Sequence, residues 1–533
     1  MAYGAPHAAR AALPGGLVVL AALAFGAPPC GAVVQLPPGF YAQIVETRFR
    51  DPTSLAFLPD GRALLTEQRT GKIRMVVNRH LAATDPVLVV PDVEGSEGER
   101  GLVGIAVDPR WPDSPYVYLF HTRVGEAMRL VRYQASGDLS NPDGELLTFE
   151  DPLILIDDIP DTHPSHNGGA LRFGPDSCLY VAIGDDVTPC HAADSSALRG
   201  QILRLEVRGL PATGGPPPAR DLLTPPDNPF VASPDSNARL VFAYGLRNPF
   251  RFHIDPEHGT VFVADVGEAE FDELDVVEPG DFLGWPWREG PLVRPREECP
   301  EPGGEGTCLS RGPLVALPHA TSGWSAIVSA GPYWPVPGGE ANWPPEYCAL
   351  RGDLFYADFY EGFLRRLTWS GSAWEPAPPV PGQPDTVNWA TGLVTPCDFQ
   401  VGPDGALWWV AYSDAVAGIG TGSLHRIGYR GTTTGVETRE PRHSPLSVAP
   451  NPFHATTTLR FALDTTREVR LEIFGLAGRL KRRLLDGVLP AGHQSVSWNG
   501  VDGYGRPVPP GLYLARLSCD GAVLGTTRVL RVQ

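Results

Sequence analysis

Six stretches of this chain repeat one pattern, in which an apolar strand is followed by a Pro-Asp-Gly or Asp-Pro turn and a second apolar strand. The copies begin at Ser54, Gly104, Leu171, Arg251, Leu350 and Phe399. Turn pairs of this kind between apolar runs predict β-hairpins. Because a repeated small sheet is the sequence signature of a propeller, the pattern predicts an all-β chain with a six-bladed β-propeller. Function is expected in the loops between the blades.

The first 32 residues have the composition of a secretion signal. Arg10 precedes a run of apolar and small residues from Ala11 to Ala27, which is too short to span a membrane with proper flanks. We therefore expect residues 1–32 to be the signal peptide of a bacterial protein that is secreted, periplasmic or at the cell surface. No later segment predicts a transmembrane helix. The formal net charge of −18 argues against nucleic acid as a partner.

Export makes the cysteines candidates for disulfide bonds. Cys30 lies in the predicted signal, so the other seven of the 8 cysteines remain for pairing. The expected pairs are Cys299 with Cys308, Cys178 with Cys190, and Cys348 with Cys397. Cys519 would then stay unpaired, and none of the spacings resembles a zinc site.

A polar stretch without periodicity divides the chain into two domains. Residues 33–431 contain the six repeats, and residues 432–445 are predicted to be a linker because they are polar and contain proline. Residues 446–533 alternate apolar and polar positions, which predicts an antiparallel β-sandwich of the immunoglobulin-like kind. The sequence therefore predicts a propeller followed by a small sandwich.

A loop of the third repeat carries the strongest candidate for chemistry. His166 is followed by two glycines, which leave its backbone open to a ligand. Asp185 ends the apolar strand one hairpin later. Histidine is the usual general base, and a carboxylate beside it would orient the ring and stabilise its charged form. The alternatives are a structural histidine with a turn-capping aspartate, and a zinc site that also uses His163.

Two further loops offer groups for a cofactor or a metal ion. Arg247 and Asn248 place a guanidinium beside an amide, a pair suited to carboxylates and carbonyl groups, although an ion pair between blades is the alternative. An acidic run contains Glu268, Glu270, Asp272, Glu273 and Asp275. Carboxylates are calcium ligands, but strand alternation sends Asp272 and Glu273 to opposite faces, and a solvated edge is the alternative.

Four motifs, in this order, resemble the glucose/sorbosone dehydrogenase family: GLVGIAVDP, HNGGALRFGPD with IGDD, GLRNPFRF, and FDEL followed by GDFLGWPW. The resemblance spans Leu36 to Gly431, and the family includes soluble quinoprotein sugar dehydrogenases and Hedgehog-interacting-protein-like propellers. It implies a six-bladed propeller that holds pyrroloquinoline quinone (PQQ) on calcium over the ring centre. Trp285 and Trp287, in the last motif, are expected to pack or to stack on a sugar.

The resemblance also implies roles for individual residues. His166 would take the proton of a sugar hydroxyl while hydride leaves for the quinone, and Asp185 would orient His166. Arg247 would contact the cofactor near its reactive carbonyl, with Asn248 and the position of Glu99 beside it. The implied calcium ligands are the backbone carbonyls of Gly267 and Glu268 at the cofactor, and Glu273 with the carbonyl of Leu283 at a second site.

The sequence departs from the quinoprotein pattern where the carboxylates of the cofactor should bind. Glu99 stands where quinoproteins usually have a glutamine that binds the cofactor, and glutamate is the residue expected of the Hedgehog-interacting-like branch. Tyr360 stands in place of a lysine, and Thr395 and Cys397 stand in place of two arginines. The loss of three cations removes most of the charge pairing of a tricarboxylate. Nearby arginines that could substitute are Arg351, Arg365 and Arg366.

The tail resembles the FlgD-like immunoglobulin domain, which is close to the type IX secretion sorting domains. The matching segments begin at Pro450, Phe474, Trp498 and Pro510. The resemblance implies export or surface attachment, with secretion or cell-surface machinery as a partner. The alternative is a spacer domain without a sorting role.

Two interpretations of the propeller follow. In the first, it is an exported, quinone-dependent sugar (aldose) dehydrogenase, an oxidoreductase that passes hydride from C1 of a sugar to PQQ with His166 as general base. In the second, it is a non-enzymatic, calcium-containing propeller that binds a glycan or a protein. His166, Asp185 and Arg247 favour the first interpretation, and the missing cations favour the second. A calcium-dependent lactonase or other hydrolase is a third interpretation.

Overall fold

The computed structural model describes residues 33–532 except for residues 213, 297, 300–310, 320–323, 349, 414–420, 432–445, 464–465, 476–479, 491, 504 and 520–521. The predicted signal peptide and linker lie outside the described residues. The chain divides into two compact units, one ending at Thr432 and the other beginning at Thr433. Each unit has its own sheets and its own apolar core.

The described part of the first unit contains six antiparallel sheets arranged as blades, which confirms the predicted propeller. Blade one consists of Pro52–Phe57, Ala63–Glu67, Lys72–Val77 and His80–Leu81, with Leu88–Val89 beside its third strand. Blade two consists of Leu102–Val107, Tyr116–Arg123, Ala127–Gly137 and Leu147–Pro160. Blade three consists of Leu171–Phe173, Leu179–Ile183, Gln201–Leu205 and Val241–Tyr244.

The last three blades complete the ring. Blade four consists of Pro249–Ile254, Val261–Asp265, Phe271–Val277 and Val315–Pro318. Blade five consists of Ile327–Pro332, Leu354–Asp358, Leu364–Trp369 and Trp374–Pro376, with Asn388–Ala390 beside its third strand. Blade six consists of Pro396–Val401, Leu407–Ala411, Gly422–Tyr429 and the N-terminal strand Phe40–Phe49. The N-terminal strand therefore closes the ring by pairing with the last strand of the propeller, from Phe40 opposite Tyr429 to Phe49 opposite Gly422.

The second strand of most blades is buried along its whole length. This holds for Ala63–Glu67, Leu179–Ile183, Val261–Asp265, Leu354–Asp358 and Leu407–Ala411. Because these strands have neighbouring blades on both faces, they are continuous apolar runs rather than alternating ones. This explains why the six repeats stand out in the sequence.

The remaining described elements of the propeller are short. One turn of α-helix covers Arg220–Leu223, and 3-10 turns cover Pro189–Ala193, Ala238–Leu240 and Pro345–Tyr347. A two-stranded hairpin pairs Arg288–Glu289 with Leu292–Val293. No helix among the described residues has the length and apolar character that crossing a membrane requires.

The second unit is a two-sheet β-sandwich over its described residues. One sheet contains Leu446–Ala449, Thr457–Leu463 and Gly492–Trp498, and the other contains Arg467–Gly475, Leu480–Leu489, Gly511–Cys519 and Ala522–Arg531. Both sheets contribute to one apolar core, in which Trp498 is fully buried. The sorting role that the sequence resemblance implies for this unit remains a prediction.

All three expected disulfide pairs are wrong, including Cys299 with Cys308, because Cys299 has another partner. Cys190 is bonded to Cys299, across 109 residues of sequence, whereas Cys178, Cys348 and Cys397 are free. Cys178 precedes the strand Leu179–Ile183 and Cys190 follows it, so a whole strand separates the two thiols. Cys308 lies outside the described residues. The observed bond instead joins the loop after Asp185 to the loop that follows Trp285.

Candidate active site

A cavity of about 500 Å³ opens at one end of the ring. Each blade contributes to its wall from the start of its first strand or from the loop just before it. These contributions include Thr53, Glu99, His166, Arg247, Ser325 and Cys397, in blade order from one to six. The candidate residues from separate parts of the sequence are therefore brought to a single site, as expected for blade loops.

His166 and Asp185 meet at the wall of this cavity. His166 Nδ1 lies 2.7 Å from Asp185 Oδ1, and the Asp185 side chain is almost fully buried. His166 has a φ of 64°, a left-handed backbone conformation that is uncommon for residues other than glycine. The two chain segments touch at Gly184, where an added Cβ would lie 2.0 Å from the His166 carbonyl oxygen. Only glycine allows this approach, so the His-Asn-Gly-Gly and Gly-Asp-Asp motifs depend on each other.

Trp285 holds the other oxygen of Asp185. Its indole N–H donates to Asp185 Oδ2 at 2.8 Å, while the Val187 amide donates to Oδ1 at 2.9 Å. The ring itself is buried, with the guanidinium carbons of Arg247 and Arg296 at 5.6 and 5.3 Å from its centroid. The sequence predicts packing or sugar stacking for Trp285, but the structure makes it a partner of the histidine–carboxylate pair.

Glu99 has a structural role in the cavity wall. Its Oε2 accepts hydrogen bonds from the His166 amide at 3.0 Å, the Asn167 amide at 3.3 Å and Asn248 Nδ2 at 3.2 Å. Asn248 Oδ1 in turn accepts the Gly168 amide at 3.2 Å. One carboxylate therefore ties together the loops that carry His166 and Asn248.

The Arg247-Asn248 turn is anchored by a carboxylate that sequence reasoning missed. Asp265 accepts the Arg247 amide at 2.9 Å and the Asn248 amide at 2.7 Å. Burial raises the pKa of Asp265 to about 8. Arg247 Nη1 donates to the Val266 carbonyl at 2.9 Å. Within the described part of the chain no carboxylate lies within ion-pairing distance of the Arg247 guanidinium, so the expected alternative of an ion pair between blades is not found.

The carboxylates of the acidic run lie in different surroundings. Asp272 and Glu273 lie on opposite faces of the sheet, as strand alternation predicts. Asp272 is buried and accepts the Gly267 amide, Ser325 Oγ and the Ile327 amide. Glu268 is different again, because its carboxylate pairs with Arg294 and Arg296 outside the sheet. Gly267 and Glu268 line the main cavity. Their carbonyls as calcium ligands remain a prediction.

Glu273 and Leu283 come together at a second, small cavity of about 10 Å³, whose wall also includes Asp265 and Glu289. Burial raises the pKa of Glu273 to about 7 and, with the neighbouring Glu273 carboxylate, raises the pKa of Asp275 well above its usual range. Both carboxylate oxygens of Asp275 are buried without a hydrogen-bond partner. In the described residues no three acidic, histidine or cysteine side chains form a metal-binding group.

The positions that depart from the quinoprotein pattern also have defined places. Tyr360 and Cys397 line the cavity, and Tyr360 lies 5.8 Å from Trp324, ring centre to ring centre. Thr395 Oγ1 donates to the Ser413 carbonyl at 2.8 Å and is not part of the cavity wall. The three arginines considered as substitutes are engaged elsewhere: Arg351 over Trp369, Arg365 over Phe363 and Arg366 with Asp353.

The chain resembles several known sugar dehydrogenases. Residues 49–291 match the family model described as Glucose / Sorbosone dehydrogenase. Aldose sugar dehydrogenase YliI of Escherichia coli (strain K12) is 26% identical over 256 residues, which cover 48% of this chain and 64% of that protein. Quinoprotein glucose dehydrogenase B of Acinetobacter calcoaceticus is 26% identical over 277 residues, which cover 46% of this chain and 52% of that protein. The chain thus spans less than two thirds of each of these relatives.

Among solved structures, the PQQ-bound form of aldose sugar dehydrogenase from Streptomyces coelicolor is 25% identical to this chain. The TM-score is 0.51, and the match covers 73% of this chain and 99% of that chain. The propeller fold is therefore shared over nearly the whole of a sugar dehydrogenase.

Proposed function

We propose that this chain, whose residues 49–291 form a domain of the glucose/sorbosone dehydrogenase family, is an oxidoreductase that oxidises an aldose at C1 with His166 as the base. The observation that carries the proposal is the hydrogen bond of 2.7 Å between His166 Nδ1 and Asp185 Oδ1 at the cavity wall. The names of the matched relatives, which are sugar dehydrogenases, support the same reaction class.

Oxidation at C1 removes a proton from the hydroxyl oxygen and a hydride from the carbon. Because His166 Nδ1 is bound to Asp185, Nε2 is the ring nitrogen that can accept the proton. The Asp185 carboxylate stabilises the imidazolium as it forms. Trp285 holds the second oxygen of Asp185, so the carboxylate keeps its orientation while the charge develops. The hydride leaves to an acceptor that the cavity must bind beside His166.

The sequence resemblance implies PQQ as this acceptor, a tricarboxylate whose quinone carbonyls accept a hydride equivalent when it is bound. Arg247 and Asn248 suit a carbonyl at one end of such a ring. The other end does not suit three carboxylates, since Tyr360 and Cys397 line the wall and Thr395 binds its own loop. The residues of the cavity wall therefore fit the quinone end of PQQ but not its three carboxylates.

The test of the base is sugar oxidation by the mature protein in calcium-containing buffer, with a panel of aldoses and a panel of soluble quinones as acceptors. We expect His166→Ala to lower kcat by about 100-fold or more, because general-base catalysis contributes ~10²–10⁴-fold. His163→Ala is the matched control, since His163 is an exposed histidine of the same loop. It should leave kcat unchanged.

Two results would contradict the proposal. The first is no oxidation of any aldose by the wild-type protein with any acceptor of the panel, combined with binding of a glycan, which would favour the non-enzymatic alternative. The second is equal loss of activity in the His166 and His163 variants, which would mean that the loop needs both side chains for its structure.

We also propose that calcium binds at the small cavity, with the Glu273 carboxylate and the Leu283 carbonyl as ligands. The chemistry of the site supports this, because the buried carboxylates of Asp265 and Asp275 lie on one face of blade four with the half-buried Glu273. Unpaired buried carboxylates are costly, and a hard divalent cation with oxygen ligands offsets that cost.

Removal of calcium is therefore expected to lower the melting temperature by about 2–5 °C, since an ion that binds only the folded state stabilises it. Thermal unfolding in excess calcium and in excess chelator measures this difference. Glu273→Gln should abolish the calcium effect, whereas Glu270→Gln, which changes an exposed carboxylate just before the same strand, should keep it. A calcium effect that survives in Glu273→Gln would place the ion elsewhere.

Export to the periplasm, the cell surface or the medium is the setting we propose for this activity. The apolar stretch within residues 1–32 and the Cys190–Cys299 bond support it. N-terminal sequencing of the protein from cell fractions tests the proposal, and an intact Met1 in the cytoplasmic fraction would contradict it.

A further inference from the structure

The cationic groups on the wall of the main cavity are already engaged, with one exception. Arg251 donates to the backbone carbonyls of Cys397, Phe250 and Thr53, and its Nε lies 3.8 Å from Asp398. The two imidazoles of the described wall are engaged as well, His166 with Asp185 and His319 with Asp272. Of the described cationic wall residues, Arg247 alone has no carboxylate partner.

The same wall carries negative charge close to where an anionic ligand would lie. Glu99 lines the cavity, and its Oε2 is held by three donors from His166, Asn167 and Asn248. These bonds fix the carboxylate within the wall and keep it from turning away. A second carboxylate placed nearby would be repelled by this fixed charge.

One side of the cavity is aromatic and has no charged side chain of its own. Trp324 is 63% exposed and Tyr360 is 50% exposed, so both rings present open surface at the wall of the cavity. Partial loss of hydration at the cavity wall, together with the nearby Glu99 carboxylate, raises the pKa of Tyr360, so its hydroxyl stays neutral. Burial also raises the pKa of Tyr412 to about 12 and that of Cys397. This side offers contact to a flat ring but no counter-charge to an anion.

From this distribution we infer that the cavity selects an acceptor of the quinone class that carries at most one negative charge, which Arg247 pairs, and discriminates against a tricarboxylate. The inference rests on the proposed sugar oxidation, and it names the acceptor class that this site takes. A ligand with three carboxylates would place two of them beside a wall that offers no cation, so most of the charge pairing of such a ligand would be missing.

The experiment compares two ligands with the same ring. The full-length protein in calcium-containing buffer, without sugar, is titrated with PQQ and with its trimethyl ester, and binding is followed by quenching of tryptophan fluorescence. We expect the ester to bind at least about tenfold more tightly than the tricarboxylate, as loss of one ionic contact is worth about that factor. Tighter binding of the tricarboxylate, or no binding of either ligand, would overturn the inference.

A positive charge added to the aromatic side of the cavity gives a second test, which does not depend on the shape of the ester. Tyr360→Lys is expected to raise the affinity for the tricarboxylate by about tenfold or more and to leave that for the ester unchanged. Val387→Lys, at a position that is 58% exposed, adds the same charge and should change neither. An unchanged affinity for the tricarboxylate in Tyr360→Lys would also overturn the inference. Because no sugar is present, these results do not depend on whether His166 acts as the base.

Discussion

At the scale of single residues, the site is organised around one carboxylate. Asp185 uses one oxygen for His166 and the other for Trp285, so both of its strong contacts are fixed before any ligand binds. A carboxylate that is free to rotate would face the imidazole for only part of the time. We therefore propose that Trp285 is a positioning residue, which would act on the reaction through Asp185 rather than by contact with the substrate.

We expect Trp285→Phe to lower kcat for sugar oxidation about tenfold while KM changes little, because a smaller aromatic ring stays in place and the N–H donor to Asp185 is lost. The buried Asp185 Oδ2 would be left without its donor, which should also lower the free energy of unfolding by about 1–3 kcal/mol. Steady-state kinetics and urea denaturation measure the two effects.

Trp287→Phe serves as the control for the change in ring size. Trp287 is buried in the same loop and packs near Phe282. A kinetic loss in Trp287→Phe as large as that in Trp285→Phe would show that the loop needs bulk rather than the indole donor.

The residues of the site differ in how far sequence could predict them. The spacing of His166 and Asp185 across one hairpin correctly predicts their contact. Trp285 lies 100 residues from Asp185, and no periodicity connects a side-chain donor to an acceptor so far away. The same holds for Glu99, whose partners Asn167 and His166 are 68 and 67 residues away. Its role depends on how blades two and three meet.

At the scale of the blades, one carboxylate joins the first strands of several of them. Asp398 in blade six accepts Ser54 Oγ at 3.0 Å and the Leu55 amide at 2.9 Å in blade one, and it pairs with Arg172 in blade three at 2.5 Å. Arg251 of blade four lies 3.8 Å away. Burial opposes ionisation, but the two guanidiniums outweigh it and keep the pKa of Asp398 below its usual range. The centre of the ring is thus held by charge as well as by apolar packing.

Asp398→Asn is expected to lower the free energy of unfolding by about 3–5 kcal/mol, because it leaves two buried guanidiniums without their counter-charge. Urea denaturation of the full chain measures the change. Asp157→Asn is the matched control, since Asp157 also pairs with two arginines but its side chain is 31% exposed. The control should lose less than about 1 kcal/mol. Equal losses in both variants would contradict a special role for the central carboxylate.

Sequence patterns predicted the blades better than the links between them. Five of the six repeats coincide with the first two strands of a blade, because buried strands must be apolar along their length. The repeat that begins at Leu350 instead covers the second and third strands of blade five, Leu354–Asp358 and Leu364–Trp369. The disulfide prediction failed because loops, unlike buried strands, have no repeated sequence pattern. Cys190 and Cys299 meet because two loops at one end of the ring meet, and neither loop has a pattern that fixes its path.

At the scale of the whole molecule, the propeller is complete before the tail begins. Its last strand, Gly422–Tyr429, lies between Leu407–Ala411 and the N-terminal strand Phe40–Phe49. The tail builds separate sheets around its own core, with Phe453 and Trp498 among the buried residues. Ring closure therefore depends on the first strand of the chain and not on residues after 431.

A chain that ends at Gly431 should keep the melting transition of the propeller within about 2 °C and keep its sugar oxidation, because every strand of the ring is present. A chain that begins at Arg50 should lose both, since it lacks Phe40–Phe49 and leaves blade six with an exposed edge strand. Differential scanning calorimetry of the two shortened chains and the full-length protein, together with activity, measures the contrast. If the chain that ends at Gly431 lowers the melting temperature of the propeller by as much as the chain that begins at Arg50 does, the two units do not fold separately.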